Sequence, residues 1–103
     1  MANIVVFEHG RMELGANDSG PNYFIPIGRG EHRVDIVYGV GVTGTVTPKQ
    51  TVDPSNANSM SSVITNGEAL VLTGTGSFLI TGPCHVGCVV ATLSGGTVKV
   101  QAV

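Results

Sequence analysis

Short runs of alternating apolar and polar residues, each bounded by glycine or proline, constrain the fold of this 103-residue chain more than any other feature of its sequence. In residues 97–103, Val98, Val100 and Ala102 fall on one face, and the intervening polar residues fall on the other. Residues 33–38 alternate in the same way. A period of two is the pattern of a strand with one buried face, so both runs predict β-strands.

Nine segments of this kind occur along the chain, and they predict an all-β protein. The pairs Asn66-Gly67 and Gly95-Gly96 accept the positive φ angles of tight hairpin turns, which join antiparallel strands. No window of a dozen residues has the apolar spacing of an amphipathic helix. We therefore expect an antiparallel β-sandwich or jelly roll of about eight to nine short strands. The predicted strands are residues 4–7, 23–27, 33–38, 42–47, 62–65, 69–72, 77–80, 88–93 and 97–103.

The length of the chain fits one domain with a single hydrophobic core. We expect residues 1–14 to form an N-terminal arm or edge strand and residues 15–103 to form one β-sandwich domain. Two polar, turn-rich segments, residues 15–21 and 54–59, have low β propensity and are expected to be exposed loops. Each of these loops is either a partner contact or a plain connector.

Charged residues make up only 12% of the chain, and the net charge is −2 with no basic cluster. Binding to nucleic acid depends on clustered Lys and Arg, so we expect no nucleic acid partner. The N-terminus lacks the basic and long apolar regions of a signal peptide, and glycines and a proline interrupt the uncharged residues 69–98. We therefore expect a soluble protein with no membrane partner. A polar surface with so few charges favours coverage by other proteins.

Cys84, His85 and Cys88 form the grouping that most resembles a metal site. Structural zinc takes four ligands, usually brought as pairs from two separate places, and this chain has a single Cys pair. His9 and His32 have no spacing that would complete such a set. A nucleophilic Cys84 activated by His85 lacks an orienting third group, and neighbours in a strand point to opposite faces. We expect no catalytic residue, no metal and no cofactor, and we expect the two thiols to be buried.

A carbohydrate-binding jelly-roll module is an alternative that the sequence leaves open. The chain has no Trp, two Tyr and three Phe, and sugar faces are usually met by exposed aromatic rings. Tyr23 and Tyr38 are the plausible platforms. The loop oxygens available for Ca²⁺ lie near Asp18 and Asp53, whereas calcium takes about six to eight ligands.

Several turn and strand motifs occur in a recognisable order. They are GPNYFIPIG at residues 20–28, VDIVYG at 34–39, GTVTPKQ at 44–50, LITGP at 79–83 and a final GTV strand. In this order the chain resembles small β-sandwich virion proteins of tailed bacteriophages. The resemblance is to the decoration or cement proteins of assembled heads and to related head-fibre-base modules, and it spans most of the chain.

The resemblance implies a non-enzymatic structural protein of the virion, assembled in the host cytoplasm, that binds and stabilises an assembled capsid. Its partner would be the major capsid protein, and the chain would form a homotrimer around local threefold positions. A subunit of a tail or adsorption apparatus would share this fold and chemistry, and it is a second alternative.

The first 14 residues are the predicted contact with the capsid. They carry Glu8, Arg11 and Glu13, three of the twelve charged residues of the chain, together with His9. Addition of an arm or strand to an available sheet edge would be the binding mode. Under this hypothesis, deletion of residues 1–14 abolishes binding and leaves the sandwich folded, whereas loss of folding would identify a core strand.

Overall fold

The computed structural model describes residues 4–18 and 22–103, and strands account for most of them. The all-β class predicted from the alternation is confirmed. Helical structure in the described residues is limited to a 3-10 turn at Ala57–Ser59, and no helix in these residues is long and apolar enough to cross a membrane. The strands are β1 (Val5–Val6), β2 (Arg11–Leu14), β3 (Tyr23–Tyr38), β4 (Thr43–Thr51), β5 (Ser61–Ser62), β6 (Ile64–Thr65), β7 (Glu68–Ala69), β8 (Gly76–Ser94) and β9 (Val98–Ala102).

Two of these strands are much longer than the sequence predicts. β3 has 16 residues and joins two predicted strands, and β8 has 19 residues and does the same. The glycines and the proline between the predicted strands bend the chain without ending the pairing. The register of β3 against β8 shifts between Ile27 and Gly30, as it does at a β-bulge, which kinks a strand inside an intact sheet.

Seven strands form one sheet in the order β2-β9-β3-β8-β4-β5, with β1 paired in parallel to β3, while β6 and β7 form a separate hairpin. The bends of β3 and β8 lie side by side, because Gly30 pairs with Gly82 and Ile27 pairs with Cys84. The large sheet therefore folds over into two layers in the manner of a sandwich, and β3 and β8 take part in both layers.

The core lies between the two layers and takes side chains from both. The faces predicted for the two clearest runs are confirmed, because Val34, Ile36, Val98 and Val100 are fully buried. Burial of one such side chain contributes roughly 1.5–3 kcal/mol. The same cluster includes Met12, Leu14, Ile25, Ile27, Val46, Val86, Cys88 and Val90.

Tyr38 connects β3 to the opposite layer. Its hydroxyl oxygen lies 3.0 Å from the carbonyl oxygen of Gly44 and 3.0 Å from that of Leu72, so the hydroxyl can donate to either. Burial raises the pKa of this phenol, with a smaller contribution from Cys88, and the group stays a donor through the neutral range. The hydroxyl that a sugar platform would present is therefore engaged within the fold.

Candidate partner-binding groove

Strand β2 forms one edge of the large sheet and, among the described strands, pairs with β9 alone. Its residues alternate, so that Met12 and Leu14 are buried while Arg11 and Glu13 are exposed. The segment predicted as an arm or edge strand thus includes a strand that adds two side chains to the core. Deletion of residues 1–14 would remove both, so substitutions on the exposed face are the cleaner test of binding.

An open groove of about 430 Å³ runs beside β2. Pairing of Arg11 with Gln101 and of Glu13 with Lys99 brings residues from the two ends of the chain together here. The groove combines an apolar part with charged groups of both signs. Its lining residues are Phe7, His9, Arg11, Met12, Glu13, Lys99, Val100 and Gln101.

Two cations of the groove, Arg11 and Lys99, form no ion pair among the described residues. Glu13 faces Lys99 across the strands, but it accepts a hydrogen bond of 2.8 Å from Thr97 Oγ1. The ion pair found among the described residues lies elsewhere, on β3. Within this part of the chain, the Arg11 guanidinium and the Lys99 ammonium are therefore free to bind a carboxylate of another molecule, and such charge-assisted hydrogen bonds are among the strong ones.

An aromatic cluster forms the apolar side of the groove. The Phe7 ring meets Tyr23 edge to face with 5.5 Å between ring centroids, and it meets His9 in the same way at 6.0 Å. The backbone amide of Phe7 donates to the carbonyl oxygen of Phe24 at 2.8 Å, which extends the attachment of β1 to β3. These contacts fix the position of the Phe7 ring next to the cations.

Three of the four predicted partner-binding residues, His9, Arg11 and Glu13, line the groove. Glu8 is exposed in the turn before β2 and is not a lining residue. The sequence does not indicate Lys99 as part of this site, although its alternating run places it on an exposed face. The pairing of β2 with β9 brings them together, and alternation carries no information about pairing partners.

The two predicted contact loops are shaped by hydrogen bonds of their own. The Gly15 amide donates to Asp18 Oδ2 at 2.8 Å, and residues 19–21 of that loop lie outside the described residues. In the second loop, both the amide and the hydroxyl of Ser55 donate to Asp53 Oδ1, and these bonds lower the pKa of that carboxyl. A role for either loop in partner contact stays a prediction.

Alternation along β8 separates the two cysteines from the histidine. Cys84 and Cys88 face the core, whereas His85 lies on the other face, opposite Thr51 and Pro26 in the neighbouring strands. Burial raises the pKa of Cys84, and it raises that of Cys88 to about 12. Both groups are therefore neutral thiols near pH 7, while the thiolate is the metal ligand and nucleophile. The described residues contain no group of three His, Cys, Asp or Glu side chains placed to hold a metal.

Because the Cys88 thiol is buried, we expect the free energy of unfolding to decrease at alkaline pH. Its pKa is raised from 9.0 to about 12 in the folded protein, so the folded state holds this proton more tightly than the unfolded state does. The contribution of this pKa difference to the free energy of unfolding is complete below pH 9 and decreases by about 1.4 kcal/mol per pH unit between pH 9 and 12. We expect urea unfolding midpoints to fall less steeply above pH 9 in Cys88→Val than in the native chain. Parallel curves for the two proteins would contradict this account.

Comparison with protein-family models finds no match for this chain, and comparisons with curated proteins and with solved structures find no similar protein. The fold, the groove beside β2 and the motifs of the sequence are therefore the features that bear on function.

Proposed function

We propose that this chain is a non-enzymatic structural protein of a tailed-bacteriophage virion, which binds and stabilises the assembled capsid as a decoration or cement protein. The observation that carries the proposal is the groove beside β2, where an open sheet edge, two cations and an aromatic cluster meet. An open edge presents backbone N–H and C=O groups with which a partner strand can pair. The partner in this proposal is an extended segment of the major capsid protein.

The groove specifies the chemistry of that segment. Backbone pairing along β2 supplies affinity, and the side chains beside it supply selectivity. Arg11 and Lys99 favour a carboxylate on the segment, and Phe7 favours an apolar side chain. A strand that carries an acidic and an apolar residue on the same face therefore fits the groove best.

Other features support a role in assembly. Charged side chains are few, and charged side chains are the ones depleted from the centres of protein interfaces. Cys84 is a protonated thiol on the opposite face of β8 from His85, so this pair is not arranged as a nucleophile and base. The resemblance to decoration proteins adds a homotrimer to the proposal, so light scattering should find a mass that is a multiple of the trimer of the 10.5 kDa chain.

Reversal of one groove charge is the test of this proposal. We expect Arg11→Glu to weaken binding to assembled heads about 10-fold to 100-fold, because a hydrogen bond to a charged group contributes about 1.5–3 kcal/mol. Arg29→Glu is the matched control, since Arg29 is exposed in the bend of β3 and is absent from the groove lining. Co-sedimentation of each variant with heads of the phage that encodes the chain gives the affinities.

Equal affinities of Arg11→Glu and Arg29→Glu would remove the groove from the proposal. Failure of the native chain to bind heads would overturn the capsid assignment. Binding to isolated tails in the same assay, with the same loss in Arg11→Glu, would support the tail or adsorption apparatus in its place.

A further inference from the structure

The first half of β8 is a second open edge, distinct from β2. Gly76 pairs with Ile36 and Gly82 pairs with Gly30, so β3 lies along one side of residues 76–82. On the other side, β4 pairs with β8 only in residues 85–94. No strand among the described residues therefore covers the outer edge of this half of β8.

This edge lacks the features that usually prevent association. Natural edge strands are protected by charged side chains, by proline or by bulges. The sequence from Gly76 to Thr81 is GSFLIT, which contains neither a charge nor a proline. Leu79 is 61% exposed on the outer face, while Phe78 and Ile80 are buried in the core.

We infer that this edge pairs in antiparallel fashion with the same edge of a second copy of the chain, about a twofold axis at Leu79. In that register Leu79 lies opposite Leu79 of the other copy, so each covers the other's exposed side chain. Ser77 lies opposite Thr81, and such hydroxyl pairs form favourable cross-strand contacts. On the core side, Phe78 lies opposite Ile80, so apolar residues also continue across the axis.

The charges near this edge permit the contact. Asp35, Arg33 and Glu31 lie on β3, directly beside Ser77, Leu79 and Thr81 respectively. The two copies of β3 would be separated by three strand spacings, about 14 Å, across the axis. That separation exceeds the Debye length of about 8 Å at physiological ionic strength, so like charges facing each other contribute little repulsion.

The contact is separate from the groove beside β2. β2 and β8 lie on opposite sides of the strands β9 and β3, so pairing through β8 leaves the groove open. Twofold contacts are the commonest way in which identical chains associate. If the capsid proposal holds, this contact would link neighbouring copies on the lattice, but the contact itself does not depend on that proposal.

The first test is the mass of the protein in solution. Leu79→Lys places a charge on the edge at an exposed position, and we expect it to halve the mass measured by light scattering. Val37→Lys is the matched control, because Val37 is 46% exposed on β3 and pairs with Lys99 of β9, on the side of β3 away from the outer edge of β8. We expect this control to keep the native mass. An unchanged mass for Leu79→Lys, with native circular dichroism, overturns the inference.

The second test is chemical cross-linking. In a Cys84→Ala background, Leu79→Cys should be joined to a second copy by a short bis-maleimide, since residues directly opposite in paired strands have Cβ atoms about 5 Å apart. Val40→Cys is the control, because Val40 is fully exposed in the turn after β3. Equal cross-linking of the two variants, or aggregates that grow with concentration, would overturn the twofold pairing. Head binding by Arg11→Glu is measured separately, so the two proposals fail independently.

Discussion

Replacement of Gly82 by alanine is expected to lower the free energy of unfolding by about 3 kcal/mol or more. A Cβ atom at this position would overlap the carbonyl oxygen of Gly28 and lie 2.8 Å from that of Ile27. Both oxygens belong to the backbone of β3, which pairs with β8 on either side of this point, at Ile27 and at Gly30, so the backbone has little freedom to move away. For a domain of this size the melting temperature should fall by more than about 10 °C.

The control for Gly82→Ala is Gly74→Ala. A Cβ atom on Gly74 would meet nothing within 4 Å, and its backbone is outside the left-handed region. Alanine there should leave stability unchanged or raise it by about 0.4–1 kcal/mol, because it restricts the unfolded chain. Similar melting curves for the two variants would show that the close approach of β8 to β3 at the bend is absent in solution.

Leu14→Ala is expected to reduce the free energy of unfolding by about 2–5 kcal/mol, through lost burial and the cavity that the smaller side chain leaves. Leu14 is 2% exposed and packs in the core cluster, although it lies in the N-terminal segment. Glu13→Ala next to it changes an exposed residue of the same strand and should cost no more than about 0.5 kcal/mol. Urea unfolding followed by circular dichroism measures both.

The comparison of these two variants separates folding from binding in the same short strand. If Leu14→Ala unfolded at the same urea concentration as Glu13→Ala, β2 would be an appendage and not part of the cooperative core. With the predicted result, truncation of the N-terminus cannot serve as a binding test, because it removes Met12 and Leu14 together with the exposed charges.

The fold class and the buried faces follow from local pattern. Val34 and Ile36 in one run, and Val98 and Val100 in another, are buried as their spacing predicts. The lengths of β3 and β8 cannot be predicted from local pattern, because glycine and proline between two runs are compatible with either a turn or a bend. The bend of β3 depends on the pairing of Gly30 with Gly82, which is a contact between distant parts of the chain.

The candidate site likewise contains residues that the local sequence predicts and residues that only the tertiary structure adds. Local charge predicts Glu8, His9, Arg11 and Glu13 as contact residues, and the last three share the groove. Lys99 enters the site through the pairing of β9 with β2, and Phe7 enters through its contacts with Tyr23 and His9. Their contributions depend on tertiary contacts, and a pattern of alternating residues does not predict which strands will lie next to each other.

The passage of β3 and β8 through both layers has a consequence for how the protein opens. In a sandwich with separate sheets, one layer can melt while the other keeps its hydrogen bonds. Here the same two strands continue through both layers, so unpairing that begins in one layer can spread along β3 and β8 into the other. Partial opening is then confined to short peripheral strands such as β1, β5 and the β6–β7 hairpin, and the remainder behaves as one cooperative unit.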